Sequence, residues 1–134
     1  YPIRLTEENV QEIISQYDIV VDGCDNFSTR YLINDICAEM GKVYVYGAIC
    51  GFEGQVSVFH YGEEKKSYRD LYPDEEEMRR MPPPPKGVMG ITPAVTGSIE
   101  ATEVLKIICG FGEVLSGKLW TIDLRTLQSN KFSL

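Results

Sequence analysis

A short apolar run that ends in an aspartate and a tight turn sets what this chain can fold into. Asp18–Asn34 reads DIVVDGCDNFSTRYLIN. The run Ile19-Val20-Val21 suits a strand buried on both faces, as in a parallel sheet. Gly23-Cys24-Asp25-Asn26 turns the chain, and Asn26 or Ser28 can cap a helix from about Ser28 to Met40, stopped by Gly41. In that helix Ile33, Ile36, Cys37 and Met40 share one face. Asp22 and Asp25 then stand at the carboxyl end of a strand, facing a helix N-terminus, which is where open α/β sheets bind ligands. An aspartate there can hold a magnesium ion, while backbone N–H groups and the helix dipole favour phosphate oxygens. The plainer reading gives Asp and Asn their ordinary turn and cap roles. On these residues alone both readings stand.

The rest of the chain reads as alternating elements around that unit. Tyr1–Leu5 fits the tail of an edge strand. Thr6 caps a crossover helix with Glu7 and Glu8 in its first turn and an apolar stripe of Val10, Ile13, Ile14 and Tyr17. Arg30 and Asn34 lie four apart on one helix face, and Phe27 and Tyr31 read as core or interface aromatics. Val43–Ala48 is the next strand, and Gln55–Tyr61 alternates as a strand with one polar face. Gly47, Gly51 and Gly54 have no phosphate-loop spacing and read as tight turns. His60, the one histidine of the chain, reads as a surface residue.

Residues 62–86 show no periodicity and carry the acidic run Asp74-Glu75-Glu76-Glu77, then Arg79-Arg80 and the prolines from Pro82 through Pro85. A loop this long inside one domain is either functional or unstructured, and the prolines favour a stiff extended path. Thr92 caps and Pro93 opens the last long helix. There Ala101, Val104, Leu105 and Ile108 form one stripe with Val95 and Ile99 opposite, a pattern of burial between two layers or at a dimer contact. Gly110 ends it. Lys118–Asp123 and Gln128–Ser133 read as an antiparallel hairpin, with Trp120 as a packing anchor.

At 134 residues there is room for one domain. The formal net charge of −7 argues against an extended nucleic-acid or anionic-membrane surface. No apolar run approaches the roughly 18 residues a membrane span needs, and the opening residues carry no signal-peptide pattern. Cys24, Cys37, Cys50 and Cys109 lie far apart in apolar or turn contexts, so buried free thiols in a reducing cytoplasm are expected. The chain opens at Tyr1 and holds neither G-x-G-x-x-G nor G-x-x-x-x-G-K-[ST].

Four blocks in order carry a resemblance: Asp22–Asp35 (DGCDNFSTRYLIND), Gly47–Phe59 (GAICGFEGQVSVF), Gly87–Gly110 (GVMGITPAVTGSIEATEVLKIICG) and Gly117–Asp123 (GKLWTID). Together they resemble the ThiF/MoeB family, bacterial relatives of ubiquitin-activating enzymes, from about Asn9 onward. Block order and the wording around Arg30 look most like the thiamine-pathway members. The resemblance implies an α/β fold, the C-terminal half of a Rossmann-like domain with a mixed sheet, flanking helices and a C-terminal hairpin. In that family a glycine-rich turn, a ribose-binding acidic residue and a catalytic arginine and lysine precede this strand. A partial domain, inactive alone, is therefore expected.

The same resemblance implies ATP-dependent adenylation of the C-terminal glycine of a ubiquitin-like sulfur carrier by a cytoplasmic homodimer. Asp25 matches the magnesium-binding aspartate, Asn26 its companion at the nucleotide, and Arg30 and Asn34 the motif beside it; Asp22 either joins them or braces the turn. Residues 62–86 match the crossover loop under which the carrier's tail passes. Where better-known members place a zinc-binding C-x-x-C, this chain has Ser67 and Asp70, so zinc is not expected. Tyr61–Met89 holds no cysteine, so no covalent link to the carrier can form from that loop. The thiamine carrier is the first substrate reading and a molybdopterin-pathway carrier the second. A non-catalytic binding module and a nicotinamide-dependent Rossmann enzyme are the rivals from other classes.

Overall fold

The computed structural model describes residues 1–82 and 87–134. In chain order its elements are α1 (Val10–Ser15), β1 (Ile19–Val21), α2 (Phe27–Met40), β2 (Val43–Cys50), β3 (Glu53–Phe59), α3 (Tyr68–Leu71), α4 (Glu75–Arg80), α5 (Ile91–Cys109), β4 (Lys118–Asp123) and β5 (Gln128–Ser133). The five strands form one sheet in sequence order. β1 and β2 are parallel and the remaining pairs antiparallel, which gives the mixed α/β sheet and the closing hairpin expected from the sequence.

Helices cover both faces, and the alternation along β2 divides the core. Tyr44 and Tyr46 join Phe59, Tyr31, Tyr68, Ile33, Cys37, Val10 and Ile14 under α1–α3. Val45 joins Val56, Val58 and Leu115 under α5. The first face is an aromatic cluster with Tyr31 and Tyr68 edge to face at 4.9 Å between ring centres. On the second face α5 approaches the sheet very closely. A Cβ on Gly47 would collide with the Glu100 carboxyl, and one on Gly54 with the Thr96 hydroxyl. These two glycines are therefore strand residues that admit a helix, and only Gly51, at φ +58°, makes the expected turn.

Several expectations are corrected. β1 is an edge strand in which Val21 stays exposed, because among the described residues nothing pairs or packs beyond it. Tyr1–Leu5 forms no strand. Thr6 opens a turn rather than capping α1: its N–H donates to Asn9 Oδ1, and the helix starts at Val10. Asn26, not Ser28, caps α2 through a 2.9 Å bond from the Thr29 N–H, and Gly41 ends it in the left-handed region as read. The polar face of β3 is not a solvent face, since Ser57 is fully buried and donates to the Lys118 carbonyl.

α5 starts at Ile91, and Thr92 lies inside it, donating to the Gly51 carbonyl. Its buried line is the polar set Thr92, Thr96, Glu100 and Glu103, while Ala101, Leu105 and Ile108 of the expected apolar stripe are exposed. All four cysteines are free, yet only Cys37 is buried; Cys50 and Cys109 are exposed.

The long aperiodic loop read over residues 62–86 instead holds α3 and α4. Ser67 and Asp70 close a capping box, and Arg79–Glu75 and Arg80–Glu76 are i,i+4 ion pairs. The anchor of this segment is Asn34. Its Oδ1 accepts from the Tyr68 N–H (2.9 Å), the Ser67 hydroxyl (3.1 Å) and His60 Nε2 (3.0 Å). His60 is thus half-buried rather than on the surface, and burial lowers its pKa. Most of the expected extended proline path falls on residues 83–86, outside the described residues.

Candidate functional site

β1 stops where Val21 pairs with Val45, but β2 runs on to Cys50. The Asp22 N–H still donates to the Val45 carbonyl; beyond it, among the described residues, no backbone group pairs with that edge of β2. A cavity of about 960 Å³ lies along this free edge and draws its walls from both faces of the sheet. The β1–α2 loop closes one end with Asp22, Cys24, Asp25 and Arg30. Tyr72, Met78, Met81 and Pro82 overhang one side, α5 presents Thr96 and Glu100 from the other, and Thr121–Asp123 of β4 close the far end.

Asp22 is buried and saturated. Its Oδ1 accepts from the Cys24 N–H and thiol at 2.8 and 2.9 Å, and its Oδ2 from Arg30 Nε and the Tyr44 hydroxyl, both at 2.9 Å. Arg30 also donates to the Cys24 carbonyl at 2.8 Å and lies over the Tyr46 ring. The pair fixes the loop to strand and helix at once. Burial and the neighbouring Asp22 push the Cys24 thiol up to about 12, so it stays protonated. A thiolate nucleophile is not formed there.

Asp25, three residues on, is exposed at the cavity wall, and among the described residues its one side-chain bond is a 3.2 Å contact from Asn26 Nδ2. Among the described residues no group of three or more His, Cys, Asp and Glu converges as a metal cage. A single free carboxylate beside open space instead suits magnesium, which takes one or two carboxylates and fills its remaining positions with water and phosphate oxygens. Of the expected site residues, Asp25 and Arg30 line the cavity. Asn26 sits behind Asp25 as the helix cap, and Asn34 lies one turn further along α2, its oxygen committed to the α3 segment.

Sequence reading missed Glu100, Thr96, Gln55 and Tyr72. Gln55 Nε2 donates to the hydroxyls of Tyr46 (2.7 Å) and Tyr72 (3.0 Å), tying the overhanging segment to the sheet across the cavity. Glu100 is buried on α5; burial first, then the charge of Asp22, raises its carboxyl to about 7 against the pull of Arg30. The available signal was that Glu100 is one of three charged residues, with Glu103 and Lys106, in the 19-residue α5.

The profile of the ThiF family matches residues 1–134. The chain belongs to the ThiF family. It is 47% identical over 135 residues to a sulfur carrier protein adenylyltransferase of Thermus thermophilus, covering 92% of this chain and 47% of that protein. It is 46% identical over 136 residues to a probable molybdopterin-synthase adenylyltransferase of Pyropia yezoensis, covering 100% of this chain and 36% of that protein. The chain thus spans about a third to a half of the length of these curated relatives. Among solved structures, Escherichia coli MccB with ATP shares the fold at a TM-score of 0.71 and 18% identity, over 98% of this chain and 41% of MccB.

Proposed function

We propose that this ThiF-family chain supplies the metal- and tail-binding part of an ATP-dependent adenylyltransferase acting on a ubiquitin-like sulfur carrier. The observation that carries this is the contrast at the cavity end: a braced, saturated Asp22–Arg30 pair presenting a free Asp25. The carrier's terminal carboxylate oxygen attacks the α-phosphorus of ATP, the bond to the β-phosphate bridging oxygen breaks, and pyrophosphate leaves an acyl adenylate. Magnesium bound to Asp25 would neutralise phosphate charge during that displacement. Asn26 holds the Asp25 carboxylate and the helix N-terminus in register. The overhang through Tyr72 and Met78 would cover an extended tail lying along the free edge of β2.

Charge supports the proposal that the activity belongs to a longer polypeptide. Among the described residues the cavity is lined by Asp22, Asp25, Glu53, Glu100 and Asp123, with Arg30 as its lone Arg or Lys, already paired. Two polyanions meeting there need further cations. The names of the relatives favour a sulfur carrier in general and a molybdopterin-synthase carrier in particular, while the thiamine carrier rests on motif wording. Exposed Leu105 and Ile108 on α5 support the homodimer as a second copy's contact; the cytoplasmic setting rests on the free cysteines. The test is carrier-dependent ATP–pyrophosphate exchange by the full-length polypeptide. Exchange with a ThiS-type or a MoaD-type carrier alone assigns the substrate, and no exchange with either gives way to the binding-module reading.

A further inference from the structure

α5 is tied to the rest of the fold at both ends and poorly in its middle. Near its start Thr92 donates to the Gly51 carbonyl, and near its end Glu103 accepts from Lys106 Nζ and the Leu115 N–H. Between them the Thr96 hydroxyl and Glu100 Oε1 are buried without a hydrogen-bond partner among the described residues. Both are packed between helix and sheet: a Cβ on Gly47 would meet the Glu100 carboxyl, and one on Gly54 the Thr96 hydroxyl. A buried unpaired polar atom costs about 1–3 kcal/mol, and a charged one more. The middle of α5 therefore sits on the sheet against an internal cost, and that cost grows if Glu100 is ionised.

The surrounding groups give an ionised Glu100 no partner of its own. From the β1–α2 loop and α2 it feels Asp22 and Arg30, and that guanidinium is already bonded to Asp22 and accepted at 3.5 Å by the Gly47 carbonyl. The Cys24 thiol and the Tyr44 and Tyr46 phenols are kept protonated by burial. Glu53 of β3 turns to Arg125, and Glu103 of α5 to Lys106. Two buried carboxylates beside one guanidinium leave one negative charge uncompensated.

We propose that the seam between α5 and β2 is a proton-operated latch. Protonated Glu100 allows the middle of α5 to seat on Gly47 and Gly54, and loss of that proton lifts it so that water reaches the carboxylate. Burial first, then the charge of Asp22, raises this acid to about 7, which puts the change near neutrality. Gly47, Gly54 and Thr96 all line the cavity, so the latch sets the position of one of its walls. It is a property of the packing and stands whichever reaction the cavity serves.

The test is native-state hydrogen exchange of the full-length polypeptide from pH 6 to pH 8, read as protection factors so that the intrinsic pH dependence of exchange cancels. An acid at about 7 when seated and 4.5 when hydrated lowers the protection of amides around Glu100 about tenfold over that range. Glu100→Gln keeps the shape without the proton, so its protection there should not change with pH. Exchange of these amides at pH 8 should be insensitive to low denaturant, the mark of a local opening. Carboxyl-carbon NMR of wild type supplies a second reading, and the Glu100 resonance should titrate near 7. Wild-type protection that does not move with pH, or an equal fall in Glu100→Gln, overturns the latch. So does exchange that follows the denaturant dependence of global unfolding, or a Glu100 carboxyl that titrates near 4.5 in the folded protein.

Discussion

Asp22 and Asp25 are three residues apart in one loop, and they stand in opposite surroundings. Asp22 is buried, accepts four hydrogen bonds and pairs with Arg30. Asp25 is exposed and, among the described residues, has one weak hydrogen-bond partner. A carboxylate whose lone pairs are all used cannot take a metal or a phosphate-bound water, whereas a free one can. On the function proposed above, the carboxylate that works is the one whose bonds are left unmade, and its saturated neighbour holds it in place. The same contrast recurs on α5, where Glu103 is saturated by Lys106 Nζ and the Leu115 N–H while Glu100 keeps a free oxygen.

The sharpest way to break the comparison is to remove the brace. Asp22→Ala strands a buried guanidinium, the Tyr44 hydroxyl and the Cys24 N–H, and should cost about 3–5 kcal/mol in chemical denaturation. Asn34→Ala should cost about 1–3 kcal/mol, because the Tyr68 N–H loses its buried acceptor, and hydrogen exchange should speed up across α3. Glu100 supplies a pH test. Its folded pKa, about 7, lies above the ordinary glutamate value of 4.5, so the folded state binds more protons between those values. Wild-type stability should therefore fall as pH rises from about 5 to 7, with the penalty fully present above 7. Glu100→Gln should remove that slope and be more stable at pH 8 by on the order of 2 kcal/mol. Smallest of all, Asp25→Ala should change stability by less than about 0.5 kcal/mol. A loss as large as that of Asp22→Ala would erase the distinction between the two carboxylates.

The sequence made some of this legible and hid the rest for identifiable reasons. Ile19-Val20-Val21, the Gly41 and Gly110 stops and the final hairpin are local signals of chain conformation, and the structure agrees with them at those residues. The residues lining the cavity could be read only in part. Asp25 and Arg30 stand in the turn and helix where motif and chemistry pointed. Glu100 and Thr96 reach the same space from 66 residues or more further along, through a packing distance set by two glycines that read as turns. Residues 62–82 looked aperiodic because their helices are too short to show a period, although Ser67-Tyr68-Arg69-Asp70 spells a capping box. His60 and Asn34 show the same limit, since a contact across 26 residues leaves no trace in local pattern.

The central claim is that Asp25 serves chemistry and not folding. The direct test is carrier-dependent ATP–pyrophosphate exchange by the full-length polypeptide, wild type against Asp25→Ala, at matched stability. The account predicts a fall of about 100-fold or more in the variant with an unchanged denaturation curve, a loss of at least about 2.7 kcal/mol of transition-state stabilisation. Exchange within a few-fold of wild type would contradict it.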